Sequence, residues 1–341
     1  MPTLSAAKLT ALAHDVLTAA GAGEHVAATV AGHLVDNNLR GADSHGVIRI
    51  PYYLELIETG FVDPHAQPRV TNDGGHLVHV DGADGFGIPA METAVEQLVE
   101  AAPRHGMAGA TVRRVGHTGR IGAYADRLAD HGLMAIVLGG GGHKIWPAVA
   151  PYGGARGLLG TNPYAFALPG GKHGNVVADF ATSATANGKL AVSRAKGEPA
   201  PEGQIIDKTG NPTRDVEAYF DGGAILPAAG PKGYGMSLIA ELVGFALLPD
   251  PLEYNWLMIA LDIEHFRPDG GYGAAAEGFL DELKSVPPSP GFERVQIPGE
   301  PERALKARRE RDGIPVADGI WSAIVTAAGT VGVDARSYVS R

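Results

Sequence analysis

Apolar positions in the first forty residues recur with the period of an amphipathic helix. Leu9, Leu12, Ala13 and Leu17 form one stripe behind Ser5, a good N-cap, and Gly21 and Gly23 close the segment. Glu24 to Arg40 resumes the same period, so a helical N-terminal layer is expected. Pro51 disfavours helix at Ile50 and suits the first turn of a new helix running to Gly60. Thr71 to Val80 alternates like a strand and Asp81–Gly85 reads as a turn. Pro89 to His105 is helical, and strands at 109–115 and 133–138 flank a helix from Gly119 to His131. Further strands are expected at 158–160, 164–168, 175–180 and Trp256–Ile263, with a helix from Gly233 to Leu248. The tail returns to helix at Pro301–Asp312 and from Asp318, after a Pro-rich linker at Ser285–Pro290.

Composition narrows the class. A chain of 341 residues exceeds the usual single core, so two or three domains are expected. Cys is absent, which excludes disulfides, thiolate catalysis and Cys-ligated metals. A net charge of −10 argues against a nucleic-acid partner. Met1 to Ala20 lacks the basic-then-apolar order of a signal peptide, and no stretch is long enough to span a bilayer, so the expected location is the cytoplasm. The 48 glycines gather between Gly116 and Gly235, which implies tight turns and close backbone approach to a ligand.

Three segments carry chemistry. Asp43-Ser44-His45-Gly46-Val47-Ile48-Arg49 with Tyr53 puts an imidazole, a guanidinium and a phenol four residues apart. An Arg fork clamps a carboxylate and a His moves protons near neutrality, which points to an enzyme of small carboxylic acids; a solvated helix face with an i,i+4 pair is the plainer alternative. Gly116-His117-Thr118-Gly119 sets a His between a strand and a helix, where backbone N–H groups also meet anions, or else serves turn geometry. Gly230-Pro231-Lys232-Gly233 opens a helix with an ammonium beside the positive dipole end, a fit for phosphate. Gly139–Lys144 lacks the Ser or Thr of a P-loop, which excludes that NTPase motif and leaves close approach to a cofactor or a flexible loop. There is no Gly-x-Gly-x-x-Gly at Rossmann spacing, and His76, His79, Asp43 and His45 do not complete a metal set.

Taken in order, Asp-Ser-His-Gly-x-x-Arg-x-Pro-x-Tyr at 43–53, Gly-His-x-Gly at 116–119, Ala-Pro-Tyr-Gly-Gly at 150–154, Gly-Thr-Asn-Pro at 160–163, Asp-Phe-Ala-Thr-Ser at 179–183, Pro-Lys-Gly-Tyr-Gly at 231–235 and Ile-Pro-Gly-Glu-Pro-Glu at 297–302 resemble the malate/L-lactate dehydrogenase family. That family also holds ureidoglycolate and sulfolactate dehydrogenases and cyclic-imine reductases. The resemblance covers nearly the whole chain. It implies an α/β (α+β), non-Rossmann fold with a largely antiparallel central sheet, a helical domain from residues 1–75 with 285–341, and a cofactor-binding domain from 76–284 with its core at 117–235.

The implied reaction is hydride transfer between NAD or NADP and C2 of a small 2-hydroxy or 2-oxo acid, in a homodimer. Reduction of cyclic imino acids such as piperideine- or pyrroline-2-carboxylate, or a ureidoglycolate-type oxidation, is the alternative. By the same resemblance His117 is the catalytic acid/base and Arg49 the carboxylate clamp. His45 stands at the same site, Ser44 fixes it, and Tyr53 closes the wall. The cofactor would meet His45, Gly119, Gly139, Gly140, Gly141, Thr161, Asn162, Pro163, Asp179, Ala181, Thr182, Lys232 and Gly233. Two stretches depart from the family pattern: Gly139–Trp146 replaces hydroxyl-bearing residues by glycine, and Pro249–Trp256 is short. Arg194 and Lys196 are candidates for pairing with a 2′-phosphate, against the plainer reading of an exposed basic turn. A binding module without chemistry and a phosphoryl-transfer enzyme are the rival classes; His117 with Arg49 argues against the first, the missing Ser/Thr against the second.

Overall fold

A computed structural model describes residues 1–72 and 75–339. Ser5 caps helix α1 (Ala6–Ala19) through its side chain, and α2 (Glu24–Leu39) runs back across it. Their stripes meet in a core that draws on residues 4–88 and 314–335, so both ends of the chain close over one apolar cluster. Leu9, Leu12, Leu17 and Leu34 are fully buried there, each such side chain contributing roughly 1.5–3 kcal/mol. Two single 3₁₀ turns, Asp43–His45 and Val47–Arg49, then lead into α3 (Ile50–Glu58), which has Pro51 in its first turn as expected, whereas Ile50, expected outside the helix, is helical at φ −54° and ψ −52°.

The expected strand Thr71–Val80 is two antiparallel strands, β1 (Arg69–Asn72) and β2 (Leu77–Gly85); its residues 73–74 lie outside the described residues. Asp81–Gly85 is not a free turn: it stays in β2 through a bulge, with Ala83 and Asp84 at φ 53° and 61°. After α4 (Gly87–His105) come β3 (Met107–Val115), α5 (Gly122–Asp130), β4 (Leu133–Gly140), β5 (Tyr164–Leu168) and β6 (Val176–Phe180). Helix α6 (Asn187–Lys196) precedes a small sheet of two-residue strands at 205–206, 212–213 and 224–225. Strands this short show no alternation in sequence. The expected strand at 158–160 is one bridge, Leu159 to Val149, feeding this small core.

Helix α7 (Pro231–Leu242) continues into a π-helical turn, Val243–Leu247, and β7 (Asn255–Asp262) follows. After a four-residue helix at Ile263–Phe266 come three longer ones, α8 (Tyr272–Ser285), α9 (Glu300–Asp312) and α10 (Asp318–Thr330). Helix α8 escaped the sequence reading because Leu280 is its one buried residue and its apolar stripe is weak.

The main sheet runs β1-β2-β3-β7-β4-β5-β6 and is antiparallel at every pairing except β2–β3. This is the mixed α/β, non-Rossmann architecture expected. Alternation splits each central strand between two faces: Trp256, Met258 and Ala260 of β7 join the core under α4 and α5, while Leu257 turns to the layer holding Ala240 of α7. The loop after β3 and the start of α5 thereby meet the helical layer at α2 and the 3₁₀ turns. No helix among the described residues is long and apolar enough to cross a membrane.

Candidate active site

The two 3₁₀ turns carry Ser44, His45 and Arg49 on a segment too tight for one α-helix, and Asn37 and Asn38 of α2 hold it in place. Asn37 Nδ2 donates to the His45 carbonyl at 3.0 Å, and Asn38 Oδ1 accepts the Val47 N–H at 2.9 Å. Gly46 is required because a Cβ there would lie 2.3 Å from Asn38 Oδ1. Asp43 is structural: it takes Arg309 of α9 in a two-pronged bond at 2.8 and 3.1 Å.

Against this segment stands His117, after β3. Its ring stacks on His45 with centroids 5.6 Å apart and planes 14° off parallel. Tyr53 Oη lies 2.9 Å from His117 Nδ1, and the Gly119 N–H donates to the same nitrogen at 3.3 Å. Tyr53 and Gly119 occupy Nδ1, which leaves Nε2 for a substrate. Tyr53 is fully buried and burial drives its phenol above the ordinary range, so it stays protonated. Ser44 Oγ sits 3.1 Å from His45 Nδ1. Arg49 donates through Nε to the Ser44 carbonyl at 2.7 Å and lies over the Tyr52 ring, which leaves the terminal fork for a ligand.

Burial holds His117 well below its ordinary pKa, and the positive charge of Arg49, with His45 and His33, acts the same way. His45 is lowered to about 4 by burial and then by Arg49 and Arg120. A carboxylate on Arg49 would cancel part of that field and return basicity to His117. Clamp and proton carrier are therefore electrostatically linked.

Arg120, three residues past His117, leads into a neighbouring cavity of about 360 Å³. Its walls include Asp179, Phe180, Gln296–Gly299 and Glu302. Asp179 Oδ2 accepts the Gly122 N–H at 2.8 Å, and burial raises its carboxyl against the pull of Arg120. Arg120 Nη2 and Glu302 Oε2 are buried without a hydrogen-bond partner among the described residues. Two orphaned polar atoms of opposite charge beside an aromatic ring fit a ligand that is both polar and flat, as a nicotinamide nucleotide is.

Several residues expected at the cofactor are engaged with protein in this structure. Gly139, Gly140 and Gly141 are buried against protein: a Cβ on each would meet the Trp256 ring at 2.3 Å, the Ala240 carbonyl oxygen at 2.2 Å and the Gly244 carbonyl oxygen at 2.5 Å. Gly233 is likewise packed, 2.1 Å from the Ala228 carbonyl oxygen by the same measure. Asn162 is fully buried and spends Nδ2 on Ser237 and Glu241, and Thr182 donates to the carbonyls of Thr161 and Asn162. Pro163 accepts the Gly139 N–H, and the Thr161 N–H donates to Tyr254. These groups scaffold the join between β4, β5 and α7. Ala181 is half-buried and Lys232 exposed at the start of α7. Arg194 pairs with Glu217 at 2.8 and 2.6 Å on the exposed surface.

Sequence reasoning missed Arg120, although it adjoins Gly119, and also His33 and Asn37. His33 and Asn37 are four apart on one face of α2; that spacing was the available signal. His33 Nε2 accepts the Arg120 N–H at 3.2 Å, and Asn37 Oδ1 accepts from Arg120 Nε at 3.2 Å.

The profile of the malate/L-lactate dehydrogenase family matches residues 4–325. The chain belongs to that family. Among its relatives, the L-lactate dehydrogenase of Cupriavidus necator is 36% identical over 325 residues, covering 91% of this chain and 92% of that one. The Δ1-pyrroline-2-carboxylate/Δ1-piperideine-2-carboxylate reductase of Pseudomonas putida is 35% identical over 73% of this chain and 72% of its own. The solved malate dehydrogenase of Pyrococcus horikoshii superposes with a TM-score of 0.86 at 31% identity, covering 97% and 96%. A malate/L-lactate dehydrogenase is an oxidoreductase, and the imidazole beside a free guanidinium fork suits that chemistry.

Proposed function

We propose that the protein transfers hydride between NAD or NADP and C2 of a small 2-hydroxy or 2-oxo acid of malate or lactate type. The observation that carries this is the cluster of Tyr53, His117, His45 and Arg49, in which a substrate-facing imidazole nitrogen stands beside an unengaged guanidinium fork. Arg49 binds the substrate carboxylate in two parallel bonds and so fixes C2. His117 exchanges the proton of the C2 oxygen at Nε2: the imidazolium gives it up in reduction, and the neutral ring, with its hydrogen on Nδ1 toward the Tyr53 oxygen, takes it in oxidation. His45 packs along the His117 ring and Ser44 holds His45. The nicotinamide supplies the hydride acceptor or donor, and Arg120, Asp179, Phe180 and Gly299 are the residues assigned to hold it, with Lys232 for a phosphate.

In this reading residues 1–75 with 285–341 form the substrate-side helical domain and 76–284 the cofactor domain. The exposed stripe Leu238, Ile239, Leu242, Phe245 and Leu247 supports a homodimer. The cytoplasm is the proposed location, because it holds the nicotinamide pools the reaction draws on. The test is a panel of 2-oxo acids and cyclic imines with NADH and with NADPH, followed at the nicotinamide absorbance. Oxidation with at least one acid is expected; none with any refutes the proposal.

A further inference from the structure

Tyr52 has no role in the reading above, and the motif Arg-x-Pro-x-Tyr at 49–53 leaves its position open. It stands in the first turn of α3 at i+3 from Arg49, so the two side chains rise on one face. Its neighbour Tyr53 is fully buried in the helical core, while Tyr52 is half-buried at the edge of that core. One of the two rings is packed inside and the other is turned toward the site.

Two contacts locate the Tyr52 ring. The Arg49 guanidinium lies over it, with Cζ 5.8 Å from the ring centroid. The His117 imidazole stands at 85° to it, with centroids 6.3 Å apart. A single ring therefore meets both the clamp and the proton carrier. Tyr53 supports it from the core side at 6.1 Å and holds His117 at Nδ1, so the three rings brace one another.

The clamp needs such a support. A guanidinium is planar, and a carboxylate binds its fork in that plane. The Nε bond to the Ser44 carbonyl at 2.7 Å sets the direction of the Arg49 head and leaves it free to rock about that bond. An aromatic face attracts the cation and stacks against its plane, which removes the rocking. The carboxyl carbon of a 2-oxo acid is bonded directly to C2, so any tilt of the fork swings the C2 oxygen away from His117.

We propose that Tyr52 is a positioning residue: its ring fixes the plane of the Arg49 fork relative to His117, so that a clamped carboxylate delivers its C2 oxygen to the imidazole. The ring makes both contacts, so an aromatic side chain suffices without the hydroxyl. The inference rests on Arg49 as clamp and His117 as proton carrier in the proposed function, and deepens that reading by assigning what aligns them.

The test compares Tyr52→Phe, which keeps the ring, with Tyr52→Leu and Tyr52→Met, which remove it; two aliphatic variants guard against one that misfolds. Oxamate presents a clamped carboxylate without being reduced. Its binding is measured by calorimetry on the full chain with reduced nicotinamide dinucleotide present, beside steady-state turnover. Loss of the ring is expected to weaken oxamate about threefold, the scale of one exposed cation–π contact. It should lower kcat about thirtyfold or more, because a fork that still binds no longer aims. Tyr52→Phe should recover most of both. Aliphatic variants that match wild type in oxamate affinity and kcat overturn the proposal, and so does a Phe variant as impaired as they are. If wild type oxidises nicotinamide with no acid, hydride transfer falls, and the difference in oxamate affinity between Phe and the aliphatic variants still decides the role of Tyr52. Wild-type turnover with unimpaired aliphatic variants overturns Tyr52 alone.

Discussion

The Tyr53 hydroxyl and His117 Nδ1, 64 residues apart in sequence, lie 2.9 Å apart. Tyr53 is fully buried, and its hydroxyl orients the His117 ring. For Tyr53→Phe we expect turnover to fall about tenfold to a hundredfold with KM little changed, because the proton carrier loses its orienting partner. Stability should change by only about 1 kcal/mol, the net worth of one hydrogen bond. Steady-state kinetics with urea unfolding of the same variant checks both; full turnover would remove Tyr53 from the proton path.

Arg49→Lys keeps the charge and removes the fork. A point charge binds carboxylate without fixing its plane, so KM for the acid should rise roughly tenfold or more while kcat falls less. Arg49→Ala should raise KM further. Substrate-saturation curves at fixed nicotinamide separate these effects, and an unchanged KM in the Lys variant would contradict the clamp.

The sequence made these two roles legible and hid their neighbours for a physical reason. His45, Arg49, Tyr53 and His117 sit in short motifs whose spacing survives in the fold. Pro51 and Gly46 forced the turns that bring them together. Glycine was harder to read, since Gly139–Gly141 need room for a protein backbone as readily as for a cofactor, and one sequence does not say which backbone comes near. Arg120 gained meaning only in the fold, where His33 and Asn37 hold it and its buried Nη2 is left without a partner among the described residues. The seven-stranded sheet was mostly visible through alternation, but its bulge at Asp81–Gly85 and the two-residue strands carry no period.

Acid should unfold this protein early. Burial lowers His33 to about 3 and His45 to about 4 from an ordinary 6.5, and His117 also falls. Between pH 6.5 and 4 the unfolded chain holds protons that the native site refuses, so stability falls as pH drops through 6.5. For His45 alone the shift amounts to roughly 3 kcal/mol by pH 4, at about 1.4 kcal/mol per unit. Urea midpoints from pH 8 to 4 should decline, and His45→Asn should flatten the curve. A midpoint independent of pH over that range would refute buried neutral histidines.

Leu242 and Phe245, 51% and 43% exposed, stand on one stripe of α7 and its π-helical turn. If that stripe is the homodimer contact, Leu242→Asp with Phe245→Asp should yield monomers in sedimentation velocity while the Tyr53–His117 pair, on other elements, stays formed. A dimer that persists at micromolar concentration would move the contact elsewhere.

Gly140 and Gly244 let β4 and the π-helical turn touch backbone to backbone. A Cβ on Gly140 would lie 2.2 Å from the Ala240 carbonyl oxygen, and one on Gly244 2.1 Å from the Gly140 carbonyl carbon. Asn255 fastens the turn by donating to the carbonyls of Gly244, Leu248 and Pro249 at 2.9, 3.1 and 3.1 Å. No flexible side-chain end can yield here, because the atoms met are main chain in a strand and a helix. Gly140→Ala should therefore cost about 3 kcal/mol of stability, in the upper range for overpacking. Nicotinamide binding by the folded fraction should change less than about twofold, since the expected obstruction is internal. The opposite pattern, intact stability with affinity lost more than about tenfold, would restore Gly140 to the cofactor cleft and make the packing incidental.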